Sequence, residues 1–237
     1  SHSDDKETVF KTTINGLLNK LTVDNFSKLA HKLLKFSVDS KELLIILSDV
    51  IYDKMKSEHY FIPLYGILID KIYRKNSKWI FENNNKQIIS IRTIIADLCQ
   101  NDFKSVLQPT EENEDEEQNI IIKKIKVGIM LIIGELYNRK LIAEKVIRIC
   151  MNELLVEDSN KMEFACKLLT HIWKKLFERN KIYLDKCTTK LKSLSNNSSI
   201  SPRIKYAIMD VVDLYKNKQT TVSNSKLNID KLEASLK

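Results

Sequence analysis

Apolar residues recur along the chain at the spacing of amphipathic helices. From Phe26 to Leu34 they follow one another at intervals of three and four residues, which places them in one stripe along a helix. The same spacing recurs from Leu43 to Met55 and from Ile204 to Leu214. Applied to the whole chain, this criterion predicts about ten helices. They cover residues 7–20, 24–36, 41–57, 60–74, 87–107, 119–138, 142–156, 160–178, 181–194 and 202–216.

The order and lengths of these helices indicate a helical-repeat fold. Paired end to end, they form about five hairpins with a period of roughly 35–45 residues, which is typical of HEAT-like repeats. No hairpin of this kind buries its apolar face alone, so neighbouring hairpins must stack. The expected fold is all-α, an α-α superhelix of about five HEAT-like hairpins similar to ARM repeats, without a β-sheet.

Two helix starts carry local signals. Asp39, followed three residues later by Glu42, has the spacing of an acidic capping box and is predicted to begin the helix at residue 41. Pro202 is expected at the first helical position of the last repeat helix, where its missing N–H costs nothing, with Ser201 as the cap.

Two segments depart from the helical pattern. Residues 111–117 contain six acidic side chains and no apolar face, so they are predicted to form a solvated loop, at about 109–118, within the third hairpin. From residue 217 onward the chain is polar, with only a weak helical signal. We therefore expect a single repeat domain over residues 1–216 and a polar tail or linker over residues 217–237.

Composition excludes several kinds of chemistry. The chain has only four glycines and contains neither a G-x-x-x-x-G-K-[ST] nor a G-x-G-x-x-G motif, so no phosphate-cradling loop is predicted. Its four cysteines are too far apart for a common zinc site, and they fit a reducing compartment. No apolar run approaches the length of a membrane span. We expect a cytoplasmic, monomeric protein that is not an enzyme and needs no cofactor or metal.

Positive charge is concentrated toward the C-terminal repeats. The whole chain carries a net charge of +8, and residues 161–205 alone hold eleven Lys or Arg against three Asp or Glu. Such a stretch is either a solvated surface in a lysine-rich chain or a footprint for phosphate backbones. The second interpretation predicts RNA binding with little sequence preference. The candidate RNA-binding residues are Lys174, Lys175, Arg179, Lys181, Lys186, Lys190, Arg203 and Lys205.

Short motifs occur along the chain in a fixed order. The first is L-N-K-L-T at residues 18–22, followed by Asn25 and Phe26. Further motifs are E-H-Y-F at 58–61, C-Q-N-D-F at 99–103, I-G-E-L-Y at 133–137, and S-P-R-I-K at 201–205. Together they span most of the chain and resemble one family, the middle (HEAT-repeat) domain of eukaryotic translation initiation factor 4 gamma, which usually has proline at the position of His59.

The resemblance implies a scaffold that binds and activates a DEAD-box RNA helicase of the initiation factor 4A type and contacts RNA. In the family, the N-terminal repeats grip one RecA-like domain of the helicase. Carried over to this sequence, the contact residues are Leu18, Leu21, Asn25, Phe26, Glu58 and Phe61. The apolar members can equally be packing residues of the first repeat. The alternative function is a related middle-domain adaptor of RNA processing or nonsense-mediated decay, which binds RNA or protein without activating the helicase.

Overall fold

A computed structural model of the chain describes residues 2–76, 78–109, 115–217 and 229–236. The described residues fall into two compact units, one drawn from residues 1–101 and 225–237 and the other from residues 102–224. In the described part the protein is almost entirely helical, as the apolar spacing predicts. The described residues contain ten helices, α1 (His2–Leu18), α2 (Phe26–Leu34), α3 (Lys41–Ser57), α4 (Ile62–Lys75), α5 (Ile91–Leu107), α6 (Glu116–Asn138), α7 (Glu144–Leu154), α8 (Ser159–Ser195), α9 (Pro202–Asn217) and α10 (Ile229–Ser235).

In the first unit, successive helical hairpins stack on one another. Helix α1 contacts α3 and α2 contacts α4, so corresponding helices of the first two hairpins lie side by side. The buried stripes of α3 and α4 supply most of this core. Helix α10 packs against α2 and α4, with Leu236 buried beside it. The weak helical signal near the C-terminus therefore corresponds to a packed helix within the predicted tail.

The second unit is built around the long helix α8. Helices α6, α7 and α9 all pack against it. The backbone of α8 leaves the helical region at Asn180, with φ −152° and ψ 70°, and resumes as a helix afterwards. The Asn180 side chain accepts a hydrogen bond from the backbone N–H of Tyr183 at 3.0 Å, so it caps the second half. This kink lies at the predicted break between helices 160–178 and 181–194.

The prediction that the chain lacks a β-sheet is wrong in one place. Two short strands, β1 (Phe81–Glu82) and β2 (Ile88–Ile89), pair antiparallel. The Asn83 side-chain oxygen accepts hydrogen bonds from the backbone N–H groups of Asn85 and Gln87, at 2.9 Å each, and closes the turn between them. For this reason the helix predicted to begin at residue 87 begins at Ile91.

Helix α3 begins by a different cap from the one predicted. The Ser40 hydroxyl, and not Asp39, accepts the hydrogen bond from the Leu43 backbone N–H at 3.3 Å. Asp39 instead forms an ion pair with Lys6 of α1 at 2.8 Å. The capping box read from Asp39 and Glu42 is therefore wrong, because a charged partner from another helix engages Asp39.

Helix α6 begins inside the predicted acidic loop. Asp115 caps it by accepting hydrogen bonds from the backbone N–H groups of Glu117 and Gln118. Glu116 and Glu117 thus lie in the first helical turn, where acidic side chains interact favourably with the helix dipole. Residues 110–114, the rest of the acidic run, lie outside the described residues.

Candidate functional site

Three of the predicted helicase-contact residues are core residues of the first unit. Leu18, Leu21 and Phe26 are 3%, 7% and 0% exposed. Phe26 opens α2 with its side chain fully buried, at the point where the chain turns back from α1. The structure therefore supports the packing interpretation for all three. They support the connection between α1 and α2 from the core and are not part of its solvent-exposed surface.

Asn25 holds the loop between α1 and α2 in place. Its side-chain amide donates to the Lys20 carbonyl at 2.6 Å, and its side-chain oxygen accepts from the Thr22 backbone N–H at 2.8 Å. The Thr22 hydroxyl accepts from the Asn25 backbone N–H in return, at 3.2 Å. We call this α1–α2 connection, residues 19–25, the first joint. Its exposed side chains are Asn19, Lys20, Thr22 and Asp24.

Glu58 lies at the second joint, residues 58–61, which links α3 to α4 through a 3₁₀ turn over His59–Phe61. The Glu58 carboxylate is two-thirds buried and accepts hydrogen bonds from Lys54 and from the Tyr65 hydroxyl, at 3.1 Å each. Burial, reinforced by the charge of Glu58, raises the pKa of Tyr65 well above its usual range. Glu58, named as a helicase-contact residue from the sequence, therefore has a structural role in this joint.

Lys54 connects the two joints. Besides Glu58, its ammonium group hydrogen-bonds the Asn19 side-chain oxygen at the end of α1. Asn19 of the first joint and Glu58 of the second, which are far apart in sequence, thus lie close together in space on either side of Lys54. We call this surface, composed of the two joints, the joint face.

The second joint also presents an exposed aromatic side chain. Tyr60 is 52% exposed and packs edge-on against half-buried Phe61, with ring centroids 5.2 Å apart. Phe61 belongs to the predicted site, whereas Tyr60 does not. A solvent-exposed tyrosine supported by a second ring is typical of an interface residue. Apolar spacing gives no signal for this exposure, because a helix is predicted to begin at this residue.

The predicted RNA-binding side chains all belong to the second unit. Lys174, Arg179, Lys181, Lys186, Lys190 and Arg203 are exposed, and Lys175 and Lys205 are half-buried. Two of the eight are engaged in ion pairs. Lys175 lies 3.5 Å from Glu178 on the same helix, a pair that contributes little at a solvent-exposed position. Most of the predicted cations therefore remain accessible to a phosphate backbone.

Arg203 is the other paired cation, and its ion pair is structural. Both of its terminal nitrogens donate to the two carboxylate oxygens of Glu163 at 2.8 Å, and Lys123 reaches the same carboxylate at 2.8 Å. Burial acts to raise the pKa of Glu163, but the hydrogen bonds from Arg203 and Lys123 outweigh it and lower the pKa. Arg203 thus ties α9 to α8, and its predicted RNA contact would compete with this role.

A second group of cations surrounds the kink in α8. Arg179 lies over the ring of Tyr137, 5.0 Å from its centroid, and Lys181 lies over Phe177 at 5.9 Å. Arg148 of α7 lies over Tyr183 at 4.6 Å. The sequence analysis does not identify Arg148, because α7 lies outside residues 161–205, which we call the basic segment. Only the fold brings Arg148 close to that segment.

Among the described residues, no group of three His, Cys, Asp or Glu side chains is placed to hold a metal ion. The four cysteines are buried thiols, and burial raises the pKa of Cys150 to about 12. None of the described helices is both long enough and apolar enough to cross a membrane.

Comparison with known proteins places these joints and helices in a family context. A family model described as "MIF4G domain" matches residues 12–218. The chain is 29% identical over 91% of its length to eukaryotic translation initiation factor 4G of Cucumis melo, and 26% identical over 99% to eukaryotic translation initiation factor 4 gamma of Dictyostelium discoideum. It is also 28% identical over 92% of its length to a von Willebrand factor A domain-containing protein of Dictyostelium discoideum.

These relatives are much longer than the region of similarity. The matched part makes up 12% of the Cucumis melo protein, 20% of the Dictyostelium initiation factor and 11% of the von Willebrand factor A domain-containing protein. Among solved structures, the MIF4G domain of Trypanosoma cruzi translation initiation factor EIF4G5 resembles the chain with a TM-score of 0.49 and 16% identity. That similarity covers 88% of this chain and 95% of the other.

Proposed function

The chain belongs to the MIF4G domain family, and on this premise we propose that it is a non-catalytic scaffold of translation initiation. It binds and activates a DEAD-box RNA helicase of the initiation factor 4A type and contacts RNA, as a cytoplasmic monomer. Translation initiation factors among its relatives support the first part of this proposal. The helicase and RNA contacts are supported by the surfaces of the two units.

The observation that carries the helicase contact is the hydrogen-bonded connection of the two joints. Lys54 bridges Asn19 and Glu58, and Glu58 in turn accepts a hydrogen bond from Tyr65. The joint face is thereby held in one arrangement before any partner arrives, which lowers the entropic cost of binding. Its exposed side chains include the charged Lys20 and Asp24 and the aromatic Tyr60.

Activation would follow from two contacts with the helicase. We propose that the joint face holds one RecA-like domain and that the second unit touches the other domain weakly. Tethering both domains raises their effective concentration for each other. It shifts the helicase toward its closed, RNA- and ATP-competent state. The scaffold accelerates ATP hydrolysis in this way without supplying a catalytic group.

The deciding experiment is the ATPase rate of such a helicase, with RNA present, in the absence and presence of this chain. The proposal predicts a higher rate with the chain. An unchanged or lower rate, despite measurable binding, would favour the alternative adaptor function. That alternative has some support, because a relative that is not named as an initiation factor carries the same region.

Paired substitutions test the joint face itself. Lys20→Glu and Tyr60→Ser should each raise the Kd for the helicase at least about tenfold, since interface anchors of this kind dominate binding energy. Lys28→Glu and Val9→Ser are matched controls, because both side chains are exposed in the same unit but outside the joints. Equal effects of test and control variants would remove the joint face from the proposal, provided that the melting temperatures remain unchanged.

A further inference from the structure

The kink in α8 brings together side chains from three helices. The Glu144 carboxylate of α7 accepts hydrogen bonds from Arg148, at 2.9 and 2.7 Å, and from the Asn180 side chain at 2.7 Å. Because Asn180 also caps the second half of α8, this carboxylate fixes the kink and Arg148 in the same place. Tyr137 of α6 completes the cluster beneath Arg179.

Two cations flank Asn180, and they differ from the other cations of the basic segment. Arg179 and Lys181 are exposed, and neither lies within ion-pair distance of a carboxylate among the described residues. Each is nevertheless positioned, because each lies over an aromatic ring. A cation already held in place loses less side-chain entropy when a phosphate binds.

An exposed apolar side chain lies directly beside these cations. Ile182 follows Lys181 and is 71% exposed, although Leu184, Cys187 and Leu191 of the same half of α8 are buried. An isoleucine in this position gains nothing from phosphate groups, whereas the face of an unpaired base would cover it. In an RNA duplex the base faces are stacked and inaccessible.

We propose that this kink surface, consisting of Arg148, Arg179, Lys181 and Ile182, is a binding site for single-stranded RNA. Arg179 and Lys181 bind successive backbone phosphates, and Ile182 packs against a base between them. Arg148, half-exposed and anchored by Glu144, borders the site and holds the kink in register. The inference rests on the proposed RNA contact and narrows it to one place and one class of RNA.

The test measures fluorescence anisotropy of a labelled oligouridylate of about 20 nucleotides and of an RNA duplex of the same length. The variants are a double substitution, Arg179→Ala with Lys181→Ala, and the single substitution Ile182→Ser. The control is Lys104→Ala with Lys124→Ala, which removes the same charge from exposed positions of the same unit. Lys124 lies about 20 Å from Tyr137 along α6. Thermal unfolding of each variant shows whether it remains folded.

The kink double variant should raise the Kd for oligouridylate at least about tenfold, and the control double variant less than about threefold. Ile182→Ser should weaken oligouridylate binding at least about threefold and leave duplex binding unchanged. Equal losses in the kink and control variants, or equal losses for both RNAs with Ile182→Ser, would overturn the kink surface and leave diffuse charge binding. If the unsubstituted chain binds neither RNA, the proposed RNA contact itself fails.

Discussion

Gly134 and Glu135 show how single residues of the I-G-E-L-Y motif determine the packing of α6 on α8. The Glu135 carboxylate is buried and binds Arg139 at 2.5 Å and His171 at 3.0 Å. This hydrogen bond holds His171 against Gly134, the residue that precedes Glu135. A β-carbon on Gly134 would lie 2.8 Å from the His171 ring and 3.1 Å from Ile172. Glycine is therefore required here by the close approach of the two helices.

Gly134→Ala tests whether this contact outweighs helix propensity. Alanine in a helix interior normally stabilises by about 1 kcal/mol relative to glycine. Overpacking a well-filled core costs about 1–3 kcal/mol, and His171 cannot move away without losing its bond to Glu135. We expect Gly134→Ala to lower the free energy of unfolding in urea. Gly16→Ala is the control, because nothing lies within 4 Å of its new β-carbon. Gly16→Ala should be neutral or stabilising. A Gly134→Ala variant as stable as the unsubstituted chain would contradict the close approach of the two helices.

At the scale of elements, helix ends were harder to predict than helices. Lys140 lies two residues after the end of α6, and its φ of 60° is in the left-handed region that favours glycine. The Leu141 backbone N–H donates to the Leu136 carbonyl at 2.8 Å, and the Lys140 backbone N–H donates to the Tyr137 backbone carbonyl at 3.0 Å. This pair of hydrogen bonds is that of a Schellman motif. A lysine carries no sequence signal for this ending.

Lys140→Gly should stabilise the protein. Glycine adopts this backbone conformation without the steric cost that a β-carbon adds, and we expect a gain of about 0.5–1 kcal/mol, measured by urea unfolding. Lys140→Val is the opposing variant, because a β-branched residue tolerates positive φ least. It should lose stability relative to the unsubstituted chain. A stabilising valine would show that the backbone does not adopt this conformation.

At the scale of the whole molecule, charge has two separate roles. Buried carboxylates such as Glu135 and Glu163 connect helices of the second unit, whereas exposed lysines and arginines leave a basic surface. Burial acts to raise the pKa of both carboxyls. Their partners, His171 and Arg139 for Glu135, and Arg203 and Lys123 for Glu163, outweigh it, so that both pKa values fall below the usual 4.5.

Stability should consequently decrease in acid. A carboxyl whose pKa is lower in the folded state stabilises fully above its unfolded pKa and loses that contribution as the pH falls through the folded pKa. We expect the free energy of unfolding to fall as the pH drops below about 4.5. Glu163→Gln should be less stable at pH 7, and its deficit should shrink on acidification because glutamine does not titrate. Urea unfolding at pH 7 and below about pH 4.5 measures this difference. A deficit that is the same at both would show that ionisation of Glu163 does not contribute to stability.

RNA binding should weaken steeply with salt, because each neutralised phosphate releases condensed counterions. Charge reversal at Lys174, Lys175, Lys186 and Lys190 should reduce both the affinity and the salt slope. The same number of reversals in the first unit, at Lys11, Lys20, Lys28 and Lys35, should have a much smaller effect. Filter-binding titrations over a range of salt concentrations compare the two sets. Equal effects would make the basic segment an ordinary solvated surface.

Local spacing in the sequence determined the helical class, the approximate positions of most helices and the break near residue 180. Apolar residues at intervals of three and four predict a helix wherever its buried face lies, so these features need no knowledge of the fold. The basic segment likewise follows from residue counts. The family match over residues 12–218 confirms the resemblance found in the short motifs.

Only the tertiary structure decided which of these residues face solvent and which meet. Apolar spacing could not separate the buried Phe26 from the exposed Tyr60, because exposure depends on what packs above each position. Glu58 is two-thirds buried because Lys54 and Tyr65 approach it. Glu144 meets Asn180 although 36 residues separate them. Contacts of this length depend on how the helices pack, and packing is a property of the folded chain that no local pattern contains.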